Sequence, residues 1–309
     1  MQANRKKLVV VLGPTAIGKT ALAIDIAKHL NTEIVSSDSR QFYKELNIGV
    51  ARPSVDELKI VKHHLIANLS VEDYYNVSMY EQDALNCLDL LFKNKDVVVC
   101  VGGSGLYIDA LCMGIADLPD PTPELRERLR EDYEKGGLEE LRFQLKFLDP
   151  DYYNEVDLAN PIRLLRALEV CYTAGKPFSE IRRQGIKKRP FEIIKIGMMM
   201  ERNRLNDRIN KRVDLMMDMG LLEEVKNVCH YRQYTALNTV GYKEIFDFID
   251  GNISLEQAVE NIKTNTRRYA KRQMTWFRGM EKRGVHIHWI DAMQPRESQV
   301  EQIKGLLYD

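Results

Sequence analysis

The sequence predicts an α/β protein: a P-loop core with a parallel sheet flanked by helices, plus an inserted helical domain. Three observations carry that expectation. Short β-branched apolar runs alternate with helix-period segments. The first run opens directly into a glycine loop of defined spacing. Between about residues 119 and 190 the strand signal lapses and helical stretches take over.

The elements follow in order. Leu8–Leu12 is a β-branched run, the mark of a fully buried parallel strand. A Gly/Pro loop leads to a helical pattern from Lys19 to Leu30. Thr32–Ser36 reads as a second short strand, Met79–Asn94 as a helix and Asp96–Val101 as a third strand closed by Gly102 and Gly103. The proline-rich joint LPDPTPEL begins at Leu118. Helical stretches Glu124–Lys135, Leu138–Leu148 and Pro161–Thr173 come next, and the basic, strand-poor Ile181–Pro190 closes that region. Phe191–Met200 reads as a strand again, with Met198–Met200 continuing it as core. Helices resume at Asn203–Met219, Leu221–Tyr231 and Leu255–Arg283. The expected domains are therefore 1–118 with 191–309 as a discontinuous core, and 119–190 as the insertion. The competing arrangement has the same helices merely extending one domain.

Composition excludes several classes. Over 309 residues, Lys+Arg 45 balances Asp+Glu 45, which argues against a histone-like nucleic-acid binder but leaves room for one basic face. The 5 cysteines form no Cys-x-x-Cys pair, so neither a disulfide scaffold nor a zinc ribbon is expected. No stretch approaches the roughly 20 apolar residues of a membrane helix. The N-terminal apolar run is a strand, not a signal peptide. A reduced, soluble, cytoplasmic protein with no membrane partner is expected.

Gly13, Pro14, Thr15, Ala16, Ile17, Gly18, Lys19 and Thr20 spell GPTAIGKT, which matches G-x-x-x-x-G-K-[ST] in full, after a strand and before a helix. The glycines permit backbone angles and a close approach that a Cβ forbids. Backbone N–H groups and the helix N-terminus then meet a phosphate. Lys19 supplies an ammonium and Thr20 a hydroxyl for Mg²⁺. A P-loop NTPase-like core is the expected fold, with a phosphorylated ligand. Hydrolysis is not implied, because DVVVCV ends in Gly102-Gly103-Ser104-Gly105 with no acid at its tip.

Asp38 follows the second strand. Loops at the carboxyl ends of strands line the ligand crevice of such sheets. If this strand neighbours the first, Asp38 faces the phosphate loop and serves as a general base or Mg²⁺ ligand; the alternative is a helix N-cap. His63 and His64 lack a third ligand at a suitable spacing and read as structural or as part of a polar pocket. Cys100, in an apolar strand, is expected buried and inert.

GPTAIGKT, SSDSRQFYKELNIG, HHLI, VGGSGLY, NPIRLLRALEV, VGYKE and AKRQMTWFR occur in this order. Together they resemble the bacterial tRNA dimethylallyltransferases, isopentenyl transferases acting on adenosine 37 beside the anticodon. The resemblance runs from about residue 9 to about residue 290. It departs where the family often has GTAKP, replaced by Gly49-Val50-Ala51-Arg52-Pro53, and where it often has GGTxLY, replaced at the hydroxyl position by Ser104.

The resemblance implies transfer of a dimethylallyl group from its diphosphate to N6 of adenine, in tRNAs reading codons that begin with U. Asp38 would be the general base, Thr20 the Mg²⁺ ligand and Arg212, in LNDRINKRVDLM, the clamp on diphosphate. On pattern alone Arg212 reads as a solvated helix face, and only the resemblance makes it the clamp. The implied tRNA contacts are Asp38, Ser39, Arg40 and Gln41; Ser104; Arg126; Ile162, Arg163, Leu164, Leu165 and Arg166; Asn238, Thr239, Val240, Gly241, Tyr242 and Lys243; and Lys271, Arg272, Gln273, Met274, Thr275, Trp276, Phe277 and Arg278. The insertion would grip the anticodon stem-loop, and a monomer is implied.

The residues themselves agree in part. Lys263, Arg267, Arg268, Lys271, Arg272 and Arg278 recur on one helix, with Trp276 and Phe277 interleaved. That suits phosphate contact with base stacking, or else a solvated helix end with a core aromatic pair. Two other enzymes compete: an adenylate prenyltransferase and a small-metabolite P-loop kinase. A non-enzymatic RNA-binding module would leave the phosphate loop unexplained.

Overall fold

The structure, a computed structural model, describes residues 6–183 and 187–308. The chain divides into two compact units. One takes the described residues up to Cys112 and from Arg189 onward; the other is Met113–Lys188.

The larger unit begins with strand β1 (Lys7–Leu12), whose Leu8–Leu12 side chains are wholly buried. Helix α1 (Lys19–His29) starts at Gly18, with no side chain capping its N-terminus. Strand β2 (Ile34–Ser36) follows, then α2 (Val55–Ile60), which opens on a Ser54/Glu57 capping box, and the two-residue β3 (His63–His64). Helix α3 (Val77–Leu91), strand β4 (Val97–Gly102) and helix α4 (Gly105–Met113) lead to the smaller unit.

In that unit, α5 (Pro123–Leu148) is interrupted at Gly137, whose φ of 63° and ψ of −154° are not helical. The two helical segments expected there, Glu124–Lys135 and Leu138–Leu148, are thus two helices meeting at a kink at Gly137. Helices α6 (Pro150–Glu155), α7 (Pro161–Ala174) and α8 (Phe178–Arg182) complete it. Leu141, Leu145, Leu164 and Leu168 are fully buried in its own apolar core. Asp149 is buried too. Its carboxylate accepts the Tyr152 N–H at 3.0 Å, the Ser179 N–H at 2.6 Å and the Ser179 hydroxyl at 2.7 Å, tying α6 to α8. This unit begins at Met113, ahead of the expected 119, and its Lys187 N–H donates to the Met113 carbonyl at 2.8 Å. The proline-rich joint thus lies inside it. Within the basic stretch Ile181–Pro190, residues 184–186 fall outside the described residues.

The larger unit resumes with β5 (Glu192–Met199), α9 (Arg202–Asp218) and α10 (Leu221–Asn227). Next come α11 (Tyr242–Ile249), α12 (Leu255–Lys282), β6 (His288–Asp291) and α13 (Arg296–Tyr308). The helix expected over Leu221–Tyr231 stops at Asn227, and Cys229–Tyr231 is a separate tight 3₁₀ turn. Met198 is core at 1% exposure, but Met199 is 47% exposed, because successive strand residues face opposite ways.

The sheet order is β3-β2-β4-β1-β5-β6, and every pairing is parallel. The second strand does not neighbour the first: β4 lies between them. Strand ends at one edge of a parallel sheet still share that edge, so the loops after β1, β2 and β4 gather there. Among the described residues no helix is long and apolar enough to cross a membrane.

Candidate active site

The loop after β1 has the geometry its glycines allow. Gly13 sits at φ 151° and Gly18 at φ 103°, and a Cβ on Gly13 would meet the Met198 carbonyl at 3.0 Å. Ala16, an L-residue at φ 63°, shares this unusual backbone. Ile17 is core at 1% exposure. Gln273, on α12, fixes the loop from outside. Its carbonyl accepts the Thr15 N–H at 2.8 Å and its amide donates to the Gly103 carbonyl at 2.9 Å. Lys19 donates to the Pro14 carbonyl at 2.8 Å. Burial lowers its ammonium pKa to about 8, with nearby Arg212 adding to the fall and Asp38 opposing it.

A cavity of about 1060 Å³ opens on this loop. Gly18, Lys19 and Thr20 form one side, with Arg52, Lys62, Arg208, Lys211 and Arg212 supplying cations. Ile48, Leu58, Ile66, Leu215, Met216 and Met219 supply an apolar remainder. Arg212 is not a solvated helix residue. Burial pulls its guanidinium pKa down, while the Asp38 charge opposes that shift. Arg208 was missed in the sequence. It stands one helical turn before Arg212, and its Nη2 would lie 3.6 Å from a Cβ placed on Gly18. The i, i+4 spacing of two arginines was the available signal.

A second cavity, of about 460 Å³, adjoins the first and shares Ala51, Arg212 and Met216 with it. Asp38, Ser39, Arg40, Asn238, Thr239, Val240, Gly241, Lys243 and Arg272 line it, which gathers three separate expected segments into one place. Asp38 accepts the Arg40 N–H at 3.1 Å. Tyr269 also lines this cavity and was not anticipated. Its hydroxyl pKa is pushed up to about 12, first by burial and then by the Asp38 charge. Ser104 accepts the Ser39 N–H at 3.0 Å and donates to the Ser39 hydroxyl at 3.1 Å.

Other expected RNA contacts are placed differently. Leu164, Tyr242 and Phe277 are 0% exposed and Gln273 is 6% exposed, so their side chains serve the interior. The apolar ones are held by burial, and Gln273 by the two backbone groups it satisfies. Phe277 is thus core and not a stacking platform. Trp276 donates to Asp109 at 3.0 Å, and its ring occupies the space a Cβ on Gly105 would need. Gln41 donates to the Val50 and Ala51 carbonyls, and Arg40 to those of Thr235 and Ala236. Met274 is half-buried, and the Thr275 hydroxyl donates to the Lys271 carbonyl at 3.0 Å. Lys271, Arg272 and Arg278 remain exposed, whereas Lys263 is paired with Asp214 at 2.8 Å and Glu260 at 3.0 Å. In the smaller unit, Ile162 and Arg163 are exposed, Leu165 and Arg166 are half-buried, and Arg126 and Arg166 approach Glu169.

Expected bland positions behave as ordinary parts of the fold. His64 pairs with Glu33 at 2.7 Å, and the Nδ1 of His63 lies 2.8 Å from the Val61 carbonyl. Cys100 is fully buried and its thiol pKa is pushed up to about 12 by burial.

Among the described residues no group of three His, Cys, Asp or Glu side chains converges as a metal cage. The hydroxyl of Thr20 at the cavity wall suits a different arrangement. Mg²⁺ commonly takes one or two protein oxygens and completes its shell with phosphate and water. The residues present fit a cation that arrives with a diphosphate.

Comparisons with known proteins agree with this geometry. The family model described as IPP transferase matches residues 41–280. A tRNA dimethylallyltransferase 1 of Bacteroides thetaiotaomicron is 49% identical over 290 residues, covering 94% of this chain and 93% of that protein. A tRNA dimethylallyltransferase of Christiangramia forsetii is 51% identical over 284 residues, 92% of this chain and 93% of that protein. Among solved structures, the full-length tRNA isopentenylpyrophosphate transferase of Bacillus halodurans superposes with a TM-score of 0.70 at 32% identity, covering 98% of this chain and 96% of that one. A eukaryotic dimethylallyltransferase acting on tRNA gives a TM-score of 0.79 at 25% identity, covering 93% and 74%.

Proposed function

The chain belongs to the IPP transferase family, and from that premise we propose that it transfers a dimethylallyl group from dimethylallyl diphosphate to N6 of adenosine 37 in tRNAs reading codons that begin with U. The products are N6-(dimethylallyl)adenosine and diphosphate. One observation carries the reading: the phosphate-loop cavity and the Asp38 cavity meet at Arg212, Ala51 and Met216. Donor and acceptor can therefore occupy separate spaces and react where those spaces join.

The diphosphate of the donor lies against Gly18, Lys19 and the first turn of α1, with Arg208 and Arg212 across from it. These cations and N–H groups neutralise the charge that develops as the C1–O bond breaks. The Thr20 hydroxyl would hold a Mg²⁺ ion, which would supply Lewis-acid stabilisation of the leaving group when bound. The prenyl chain lies against Ile48, Leu215 and Met216. Adenosine 37 enters the second cavity, which requires it to leave the stacked anticodon loop. N6 attacks C1, and Asp38 takes the N6 proton as the N–C bond forms. Such assistance is worth about 10²–10⁴ in rate.

Lys243, Lys271, Arg272 and Arg278 follow the RNA backbone. The smaller unit holds the anticodon stem-loop through the exposed and half-exposed Ile162, Arg163 and Arg166. The reading carries a cytoplasmic location, where tRNA is modified, and a monomer.

The test incubates the protein with Mg²⁺, dimethylallyl diphosphate and a tRNA bearing unmodified A36-A37-A38, then weighs the digested nucleosides. Adenosine heavier by one C5H8 unit is expected. Asp38→Asn should lose turnover while keeping tRNA affinity; unchanged turnover removes Asp38 as the base. Product from AMP but not from tRNA favours the adenylate enzyme, and transfer of labelled phosphate from ATP favours the kinase.

A further inference from the structure

The turn Ile48–Ala51 is the wall common to the two cavities. Ile48 lines the first, Gly49 and Val50 the second, and Ala51 both. Its shape is not one the local sequence prefers. Ala51 sits at φ 49°, a left-handed conformation that L-residues rarely adopt. Within the turn, the Ala51 N–H reaches the Ile48 carbonyl at 2.9 Å. Two distant side chains hold the rest of the backbone.

Glu224, on α10, accepts the Ile48 N–H at 2.7 Å and the Gly49 N–H at 3.0 Å, one with each oxygen. Gln41 donates to the Val50 carbonyl at 3.3 Å and the Ala51 carbonyl at 3.0 Å. Glu224 thus holds two N–H groups of the turn and Gln41 two of its carbonyls. Tyr242 braces the assembly. Its hydroxyl donates to Glu224 at 2.7 Å, and its ring lies where a Cβ on Gly49 would come within 2.6 Å. The grip requires a carboxylate: both oxygens accept, and a Gln at 224 would present an amide N–H₂ to one of the two N–H donors.

Resting on the function read above, we propose that Glu224 is a positioning residue for prenyl transfer, with Gln41 its counterpart on the carbonyl side. Neither side chain needs to touch a substrate. Together they hold Ile48–Ala51 as a partition that sets where the donor's C1 meets the acceptor. Gln41 follows Asp38 by three residues, so the partition and the base share one loop. This assigns Gln41 to the partition rather than to RNA contact.

The experiment compares Glu224→Gln and Gln41→Glu with the wild-type enzyme. Gln41→Glu sets a carboxylate against two carbonyl oxygens and so breaks the grip from the other side. Steady-state kinetics should show kcat/KM for dimethylallyl diphosphate falling about 10- to 100-fold in both, the scale of an ångström-level misplacement. Dissociation constants for tRNA and their salt dependence should stay at wild-type values. A second readout follows dimethylallyl alcohol and diphosphate released when water attacks C1 in place of N6, which should rise relative to prenylated tRNA. Wild-type kinetics in either folded variant would overturn the proposal. So would weakened tRNA binding with an unchanged donor KM in Gln41→Glu, which would return Gln41 to the RNA. If Glu224→Gln does not fold, Gln41→Glu decides alone. Wild-type protein that prenylates no tRNA would overturn the functional reading itself, and this proposal with it.

Discussion

Gln273, buried in α12, accepts the backbone N–H of Thr15 at 2.8 Å and so fastens the phosphate loop to a helix 258 positions away. Its amide meanwhile donates to Gly103 after β4. Replacement by Leu leaves a buried N–H and a buried C=O without partners, at about 1–3 kcal/mol each in the worst case. Gln273→Leu should lower the urea midpoint and raise the donor KM together. Lost stability with an unchanged donor KM would mean the loop keeps its shape unaided.

Lys19 gives the donor site a pH signature. Its pKa falls from 10.5 to about 8 in the folded chain, chiefly by burial. Donor KM should be flat below about pH 8 and then rise, by up to about tenfold per unit, as the ammonium is lost. Stability has the opposite dependence. The unfolded chain binds the proton more tightly, so the burial penalty is full below about 8 and is relieved as pH rises toward 10.5. A donor KM that ignores pH across that window would separate Lys19 from the diphosphate.

Two lysines on α12 should differ sharply. Lys271 is exposed, and among the described residues it has no acidic partner within ion-pair distance. Lys263 already holds Asp214 and Glu260. Lys271→Ala should reduce the slope of log K for tRNA against log salt by about 1. Lys263→Ala should leave that slope unchanged. Equal slopes for both variants would move the RNA path off this helix.

Asp149 holds three donors inside the smaller unit. Asp149→Leu should destabilise that unit by about 3 kcal/mol or more, since buried donors lose their acceptor. Proteolysis should then begin within Met113–Lys188 while the larger unit resists. Affinity for tRNA should drop and donor binding persist. Loss of donor binding as well would make the smaller unit part of the core's stability.

The parts legible in the sequence were those that local chemistry dictates. GPTAIGKT needed no tertiary information, because glycine spacing and the strand–loop–helix order define it. The buried strands β1 and β4 announced themselves by β-branched runs. Asp38 does act electrostatically on Lys19, although not for the expected reason: β4 separates its strand from β1, and the shared edge of the sheet brings the groups together. What could not be read was the use of side chains on distant elements. Gln273, Tyr242 and Phe277 lie in motif segments that also present exposed residues, and helical periodicity alone did not say which faced inward. Short elements such as β3 and α6 carry too few residues for a periodic signal. Arg208 and Tyr269 join the site only through the folding of α9 and α12 around it.

The Lys187 N–H bonded to the Met113 carbonyl, and Arg189 bonded to the carbonyls of Ala110 and Leu111, put the departure and return of the chain side by side. To the sheet, everything between them is a bend of almost no span. The entropy of closing a loop grows only slowly with its length, so strand register hardly senses how long that bend is. Evolution can therefore lengthen, trim or exchange the segment in one lineage without disturbing the catalytic edge. If that segment grips RNA as proposed, its recognition surface and the chemistry at the sheet are free to change on separate clocks.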